Sequence, residues 1–545
     1  MSDFLRSHKL MISTLTPVHI GCGEDFEPTN YVIDNDVLYH FDPARAALPE
    51  RERARLLTIV GGANKVKPEE LVFDVQRFFF DNRAHFIPCA HALVPVAPAL
   101  ARHYLKRVGQ TVQRENNGSK VASLLEVERS SYNPHSGEPI IPGSSLKGAI
   151  RTAMLDAIND GKGVLRGEKA KDMEQRLLQG SYSTDPLRLL KISDTLPQAD
   201  IVRKIVFCVN LKKRHIIKDG QEIKSRALAT RKEVVMQAQY RALQADLMLH
   251  DLQGRIQGKD LPVAHLRPND VRSIARDCNR YYEPLLLSEL AVLEGRRFVN
   301  DEWAAWIRQA LNGELRSRLD RGDVFLLRVG RYSSAEAKTL EGVRSIKIPQ
   351  AKSEKDRYVA SAHTVWLASD QENERSNMLP FGWLLIEIDP KEDLPQFRQA
   401  LASQASCHPD MQAVRALFLA ERAAAAVKKA VAERERAEVE AAAHAVIAAE
   451  AAQAAHHAAL PANIRAITEL AATLAQIVRQ KQPGGPVFDL TFAVMRAALA
   501  PAWSMLERQQ LADMASPLLK EKNMLVGKCE KEFKLLLRQL RGEVI

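Results

Sequence analysis

Ile140-Ile-Pro-Gly-Ser-Ser-Leu-Lys-Gly-Ala-Ile-Arg151 combines turn chemistry, a helix start and positive charge in one short run. Pro142-Gly143 interrupts the segment before it, and Ser144 or Ser145 can accept a hydrogen bond from the first free N–H groups of the next helix. Leu146, Ile150, Ala153, Met154, Ala157 and Ile158 recur at helical spacing and predict one buried face. Lys147 and Arg151 stand four apart on a neighbouring face. Exposed glycine backbone at Gly143 and Gly148, free N–H groups and two cations compose an anion site of the kind that holds phosphate. An ordinary capped helix with a solvated face is the alternative reading of the same residues.

Two familiar phosphate loops are excluded. Gly143 and Gly148 have the outer spacing of a nucleotide-binding loop, but Ala149-Ile150 stands where Lys and Ser or Thr are required. Gly21-Cys22-Gly23 opens like a dinucleotide fingerprint, yet Phe26 occupies the place of the third glycine. A chain of 545 residues, 46% hydrophobic, has material for more than one core. Its net charge of +10 and pI near 9.2 suit a polyanionic partner. The six cysteines show no CxxC spacing, so neither a zinc ribbon nor a disulfide framework is expected, and a reducing, cytoplasmic setting is. The amino terminus has no apolar signal core and no run of about 18 apolar residues occurs, so no membrane partner is expected. His85, His91 and His103 lack metal-ligand spacing, and no metal or other cofactor is expected.

Outward from the opening stretch, residues 9–20 read as a strand that leads into the loop Gly21-Cys-Gly-Glu-Asp25. Tyr31-Val-Ile-Asp34 and Val37-Leu-Tyr-His-Phe41 predict a hairpin around Asn35-Asp36, with Asp42 capping a helix that begins near Ala44. Residues 85–96 look extended, Gln110–Ser136 is polar and loop-like, and Ile201–Asn210 is a strand. The stretch 222–320 reads as a helical insertion, after which Phe325–Gly330 and Trp383–Ile388 return to β pattern. The Gly330-Arg-Tyr-Ser-Ser-Ala-Glu-Ala-Lys338 loop joins a glycine to basic, aromatic and hydroxyl residues, a composition suited to phosphate contact and stacking or simply to a solvated loop. Past residue 396 the chain turns to alanine and mixed charge, predicting a long exposed helix, a linker at Gln482–Pro486 and further amphipathic helices. The expected division is 1–395 and 396–545, the second part a separate helical unit.

The glycine loop Leu15-Thr-Pro-Val-His-Ile-Gly-Cys-Gly23, the hairpin Tyr31–Asp34 with Leu38–Asp42, and Ile141–Arg151 together resemble the RAMP superfamily of type III CRISPR effector complexes. Arg188–Asp194, the Leu-Arg-Val-Gly330 loop and Leu379-Pro-Phe-Gly-Trp383 are similar to the Csm-type subunit that ends the backbone at the 3′ side of the guide RNA. The resemblance covers roughly residues 5–390. It implies an α+β fold with a ferredoxin-like, RNA-recognition-type sheet core carrying helical insertions, beside the C-terminal all-helical extension. It also implies binding of guide RNA (crRNA), with target RNA and the other subunits of the ribonucleoprotein as further partners. On this chain it assigns RNA contact to His19, Gly21 and Gly23, to Gly143, Ser144, Ser145, Lys147, Gly148 and Arg151, and to Gly330 and Arg331. Repeated backbone subunits of the superfamily cut target RNA with an aspartate just beyond the first glycine loop, and Asp34 falls close to that place. Its spacing from Gly21 differs slightly, and as a hairpin residue Asp34 also has a structural reading. The chain is therefore expected to be a non-catalytic binding subunit, with a metal-dependent endoribonuclease using Asp34 as the alternative.

Overall fold

In strand Leu5–Thr14 the fully buried Leu10 and Ile12 share one face, opposite the exposed Lys9 and the half-buried Met11. Its apolar face fixes its register. It pairs antiparallel with Gln239–His250 on one side and Trp383–Ile388 on the other, and the first sheet runs Leu196–Pro197, Gln239–His250, Leu5–Thr14, Trp383–Ile388, Val324–Arg328. Leu190–Ile192 also pairs with Gln239–His250. Two helices, Gly143–Asn159 and Val271–Gly295, pack on each other and against strands of this sheet. Leu146, Ile150 and Ala153 of the first meet Ala275, Cys278, Tyr282 and Leu286 of the second in the main core, and the Tyr282 hydroxyl donates to the Ala149 carbonyl at 3.0 Å. In chain order Leu5–Thr14, Gly143–Asn159, Leu190–Ile192, Gln239–His250, Val271–Gly295 and Trp383–Ile388 run strand, helix, strand, strand, helix, strand. The second and third strands lie on one side of the first and the last strand on the other, antiparallel throughout.

A second sheet runs Gly21–Phe26, Val127–Ser130, Thr230–Val235, Arg203–Lys212, Thr364–Ser369, Leu379–Pro380. Val127–Ser130 and Thr230–Val235 are parallel, which sets Lys232 beside Glu128. The third sheet is Tyr31–Asp34, Val37–Phe41 and Ala90–Pro95. Its hairpin turns at Asn35 and Asp36, both at positive φ (47° and 59°), the twist that tight hairpins require. Asp42 accepts from the Ala44 N–H at 3.0 Å, capping a short 3-10 turn.

The computed structural model describes residues 4–543 apart from 63–67, 111–112, 115–119, 122–124, 166, 219–220, 223–227, 251–260, 349–356, 481–485, 520–524 and 526. It is a mixed α/β protein that divides into two compact units, Met1–Ala426 and Val427–Ile545. Several expectations need correction. The strand read over 9–20 ends at Thr14, Gly21–Phe26 is a strand where a loop is expected, and Val127–Ser130 is a strand inside the expected loop 110–136, because each is held by its sheet partners and not by a local pattern. The helical insertion at 222–320 is wrong in its first part, where Thr230–Val235 and Gln239–His250 are strands; helix begins only at Val271. Thr230–Val235 is buried on both faces, so it lacks the alternation that marks a strand, and the run of residues mimics helical periodicity. Within 85–96, Arg83–Phe86 is a helical turn and only Ala90–Pro95 is strand. The first unit also extends past residue 395, because Phe397 and Leu401 enter its main core and Phe418 packs with Tyr39, Phe78 and Phe79. The expected linker at 482–486 lies almost wholly outside the described residues.

The helix Met411–Ala459 spans the division and is largely exposed. In the second unit, Ala462–Gln480, Pro486–Ala497, Met505–Ala515 and Lys528–Leu540 gather around Leu470, Leu474, Met495, Leu511, Phe533, Leu537 and Leu540. Among the described residues no helix is long and apolar enough to cross a membrane.

Candidate functional site

Three glycine-bearing segments meet at one cleft of about 650 Å³: Gly21–Asp25, the exposed face of the helix from Ser145 to Thr152, and Arg328–Ser333, with Glu128, Arg129 and Lys338 completing its walls. Backbone hydrogen bonds join Pro17–His19, the run just before the first segment, to the third segment, directly and through Gly382. The Arg331 N–H donates to the His19 carbonyl at 3.2 Å, Gly382 donates to Pro17 at 2.9 Å, and Val329 donates to Gly382 at 2.9 Å. Gly330 has φ +90°, and a Cβ there would stand 2.3 Å from the His19 carbonyl oxygen. Only glycine lets the two loops approach so closely.

Of the residues assigned by sequence, Gly21, Gly23, Ser145, Gly148, Gly330 and Arg331 line the cleft. The others do not. His19 is buried, and its Nδ1 donates to the Glu233 carbonyl at 2.8 Å; burial first, then the neighbouring charge of Lys232, pushes its pKa below 6.5 and keeps it neutral. Gly143 is a packing glycine, since a Cβ there would meet the Ile192 and Ser193 carbonyls at 2.3 and 2.5 Å. Its N–H donates to Asp194 Oδ1 at 2.8 Å, so the helix start is satisfied by a distant carboxylate and neither serine caps it. Ser144 is exposed outside the cleft. Lys147 donates to the Leu190 carbonyl at 2.8 Å, and Arg151 is ion-paired with Asp185 at 2.6 Å and Glu174 at 3.3 Å. The anion site read from helix start and paired cations is thus filled by the chain's own oxygens. Spacing gives the face a cation occupies and says nothing of what packs against it.

The cleft holds cations that the sequence reading passed over. Arg129 lies over the Tyr132 ring at 3.9 Å and the Phe26 ring at 4.7 Å, and donates to Glu24 at 2.9 Å. Nothing in Val127-Glu-Arg-Ser130 distinguishes it from any strand arginine. Lys338 donates to the Arg331 carbonyl at 3.2 Å, and its place in the Gly330–Lys338 loop was the available signal. Arg331 itself is 60% exposed and donates to Glu128 Oε2 at 2.5 Å. Arg328 is buried and fixed to Glu289 at 2.9 Å and to the Phe381 carbonyl at 3.0 Å, which makes it architectural. Asp34 ends the hairpin strand away from the cleft lining, accepting from Arg83 at 2.8 Å and Asn35 at 3.1 Å. Among the described residues no group of three or more His, Cys, Asp or Glu could hold a metal ion. Glycine backbone, the Ser145 and Thr152 hydroxyls and exposed cations suit an extended anion, bound through its charges and without a base-edge code.

A model of the RAMP superfamily matches residues 11–312, more than half of the chain. This chain belongs to the RAMP superfamily. The match takes in the first glycine loop, the hairpin and the Gly143–Asn159 helix, and stops before the Arg328–Ser333 segment. Among curated proteins this RAMP chain is similar to the CRISPR system Cms protein Csm5 of Methanocaldococcus jannaschii, 24% identical over 193 residues, which is 33% of this chain and 41% of that one. It is equally similar to the Csm5 of Streptococcus thermophilus, 24% identical over 206 residues, 36% of this chain and 54% of that one. The chain spans about half the length of the curated relatives it matches. Among solved structures it is similar to a chain of a Csm–crRNA–target RNA ternary complex of a type III-A CRISPR-Cas system (TM-score 0.43, 16% identity, covering 70% of this chain and all of that one). It is also similar to Csm5 of T. onnurineus (TM-score 0.37, 14% identity, covering 70% and 99%).

Proposed function

We propose that this protein is a guide-RNA-binding structural subunit of a type III CRISPR ribonucleoprotein, ending the backbone near the 3′ side of the guide and supporting assembly and guide maturation. Membership of the RAMP superfamily and the Csm5 name of both curated relatives support the class. The observation that carries the binding role is the convergence of the Gly21–Asp25, Ser145–Thr152 and Arg328–Ser333 segments on one cleft. Its RNA contacts are Gly21, Gly23, Ser145, Gly148, Gly330 and Arg331, joined by Arg129, Thr152 and Lys338, while His19, Gly143, Lys147 and Arg151 hold the cleft's shape and Ser144 lies outside it. Contacts of this kind neutralise phosphates without reading sequence, as a carrier of many different guides requires. The first sheet reads as ferredoxin-like, supported by its strand–helix–strand–strand–helix–strand order and antiparallel ladders. Residues 1–426 are the RNA-binding core and 427–545 a helical extension that docks partner subunits.

The binding is non-catalytic, with Asp34 serving the hairpin through Arg83. Titration of labelled single-stranded RNA with magnesium, resolved on native and denaturing gels, tests both statements. Retarded, intact RNA is expected. Replacing Arg331 and Lys338 together by alanine should weaken binding equally for all sequences and lower the salt slope by about two. Unchanged affinity refutes the site, and fragments that disappear with Asp34→Ala would establish the endoribonuclease instead.

A further inference from the structure

Glu128 stands at the base of the cleft and faces more positive charge than it can neutralise. Lys232 lies directly beside it across the parallel strand pair, has no exposed surface, and is ion-paired with Oε1. Arg331 donates to Oε2 at 2.5 Å from the solvent side. His19 Nε2 is 3.7 Å from the same oxygen and neutral. The Tyr332 ring lies 5.5 Å from the Lys232 Nζ and stacks on His19. A buried ammonium does not give up its counter-ion, because an unpaired charge there is strongly disfavoured. A guanidinium that is 60% exposed gives up its partner at small cost. One carboxylate therefore has one permanent cation and one releasable cation.

We infer that Lys232 is a positioning residue for the phosphate site: by holding Glu128 permanently, it leaves Arg331 as surplus charge for an RNA phosphate. The inference rests on the RNA-binding reading above and deepens it. Without Lys232, Glu128 and Arg331 form a matched pair, and an incoming phosphate must compete with Glu128 for the guanidinium. With Lys232 present, Arg331 can swing to a phosphate while Glu128 stays ionised and paired. Lys232 itself never touches the ligand.

Full-length protein is titrated with labelled single-stranded RNA across a salt series, as wild type, Lys232→Met, Glu128→Gln, the double variant, Arg331→Ala, and Arg331→Ala with Lys232→Met. Lys232→Met is expected to bind about tenfold more weakly, the weight of one charge-assisted hydrogen bond, with the salt slope lower by about one. The double variant is expected to return to within about twofold of wild type, because the two changes cancel through their shared partner. In the Arg331→Ala background Lys232→Met should cause no further loss. A double variant as weak as Lys232→Met, or a full additional loss without Arg331, would overturn the inference in favour of plain structural damage. Thermal unfolding accompanies each variant, and if Lys232→Met or Glu128→Gln does not fold, the double variant decides, since it leaves no buried charge unpaired: it should bind within about twofold of wild type, and clearly weaker binding overturns the inference. A wild-type protein that retains no RNA at any salt removes the RNA reading and this inference with it. Wild-type binding with an indifferent Lys232 removes this inference alone.

Discussion

Gly148 and Gly330 line the same cleft for opposite physical reasons. A Cβ on Gly148 would meet nothing within 4 Å, and the residue sits inside the helix Gly143–Asn159. Among the described residues no contact requires a glycine there. Alanine should stabilise the fold by about 0.5–1 kcal/mol by removing glycine's helix penalty, while RNA binding weakens as the added methyl enters space reserved for a ligand. Gly330 is the reverse: positive φ and a 2.3 Å approach to the His19 carbonyl mean that alanine strains the loop junction, at a cost on the order of 1–3 kcal/mol. Urea unfolding and RNA titration on both variants check the pair. If Gly148→Ala lowers stability, or leaves binding untouched, the open space at this helix face is not a ligand site. The distinction was invisible in the sequence, where both are glycines in loop-like or helix-start surroundings, because it depends on which backbone crosses opposite each one.

At the scale of elements, the helix at 143–159, the hairpin at 31–41, the strand at 383–388 and, as far as Thr14, the strand read over 9–20 were legible because each has a local signature: helical spacing, an Asn-Asp turn, or alternating or β-branched runs. Thr230–Val235 and Gln239–His250 were not, since their identity comes from neighbours on both sides. The helix cap was misassigned for the same reason: Asp194 is 51 residues from Gly143. The third sheet carries a pH dependence that arises from its packing. His40 lies 4.4 Å from His91, ring to ring, and edge-on to Phe26 at 5.0 Å. Burial first, then the charges of His91, Arg129 and Arg203, pushes its pKa from 6.5 down to about 3. The unfolded chain thus takes up a proton near pH 6.5 that the folded chain refuses until about pH 3, so the stability tied to neutral His40 is complete above 6.5 and is lost as pH falls through that window. Urea midpoints should drop between pH 7 and pH 5, and His40→Gln should shrink that drop. His103, pushed to about 4 by burial and then by Arg231, supplies a part that remains in the variant. An identical drop with and without His40 would show that its burial does not persist in solution.

For the whole molecule, composition located the change in character near residue 396 but not the structural division, which lies at 426/427. Alanine-rich, mixed-charge sequence reports what a helix is made of; the few large side chains that anchor its first turns report where it belongs. Phe397 and Leu401 sit in the main core and Phe418 in the cluster with Tyr39 and Phe78, so a cut at 395 removes packing from the first unit, whereas a cut after Ala426 removes none of these. The second unit closes its own core around Leu470, Met495, Leu511, Phe533 and Leu540. A chain ending at Ala426 should therefore unfold cooperatively, retain single-stranded RNA affinity and salt slope close to the full-length protein, and fail to enter the assembled ribonucleoprotein. A chain ending at residue 395 should lose stability by several kcal/mol, the scale of deleting three large buried side chains. Denaturant unfolding, RNA titration and co-purification with partner subunits separate these outcomes. Assembly at full yield without residues 427–545 would show that the helical extension is not the docking element, and loss of RNA binding in the 1–426 chain would place part of the RNA interface beyond the glycine cleft.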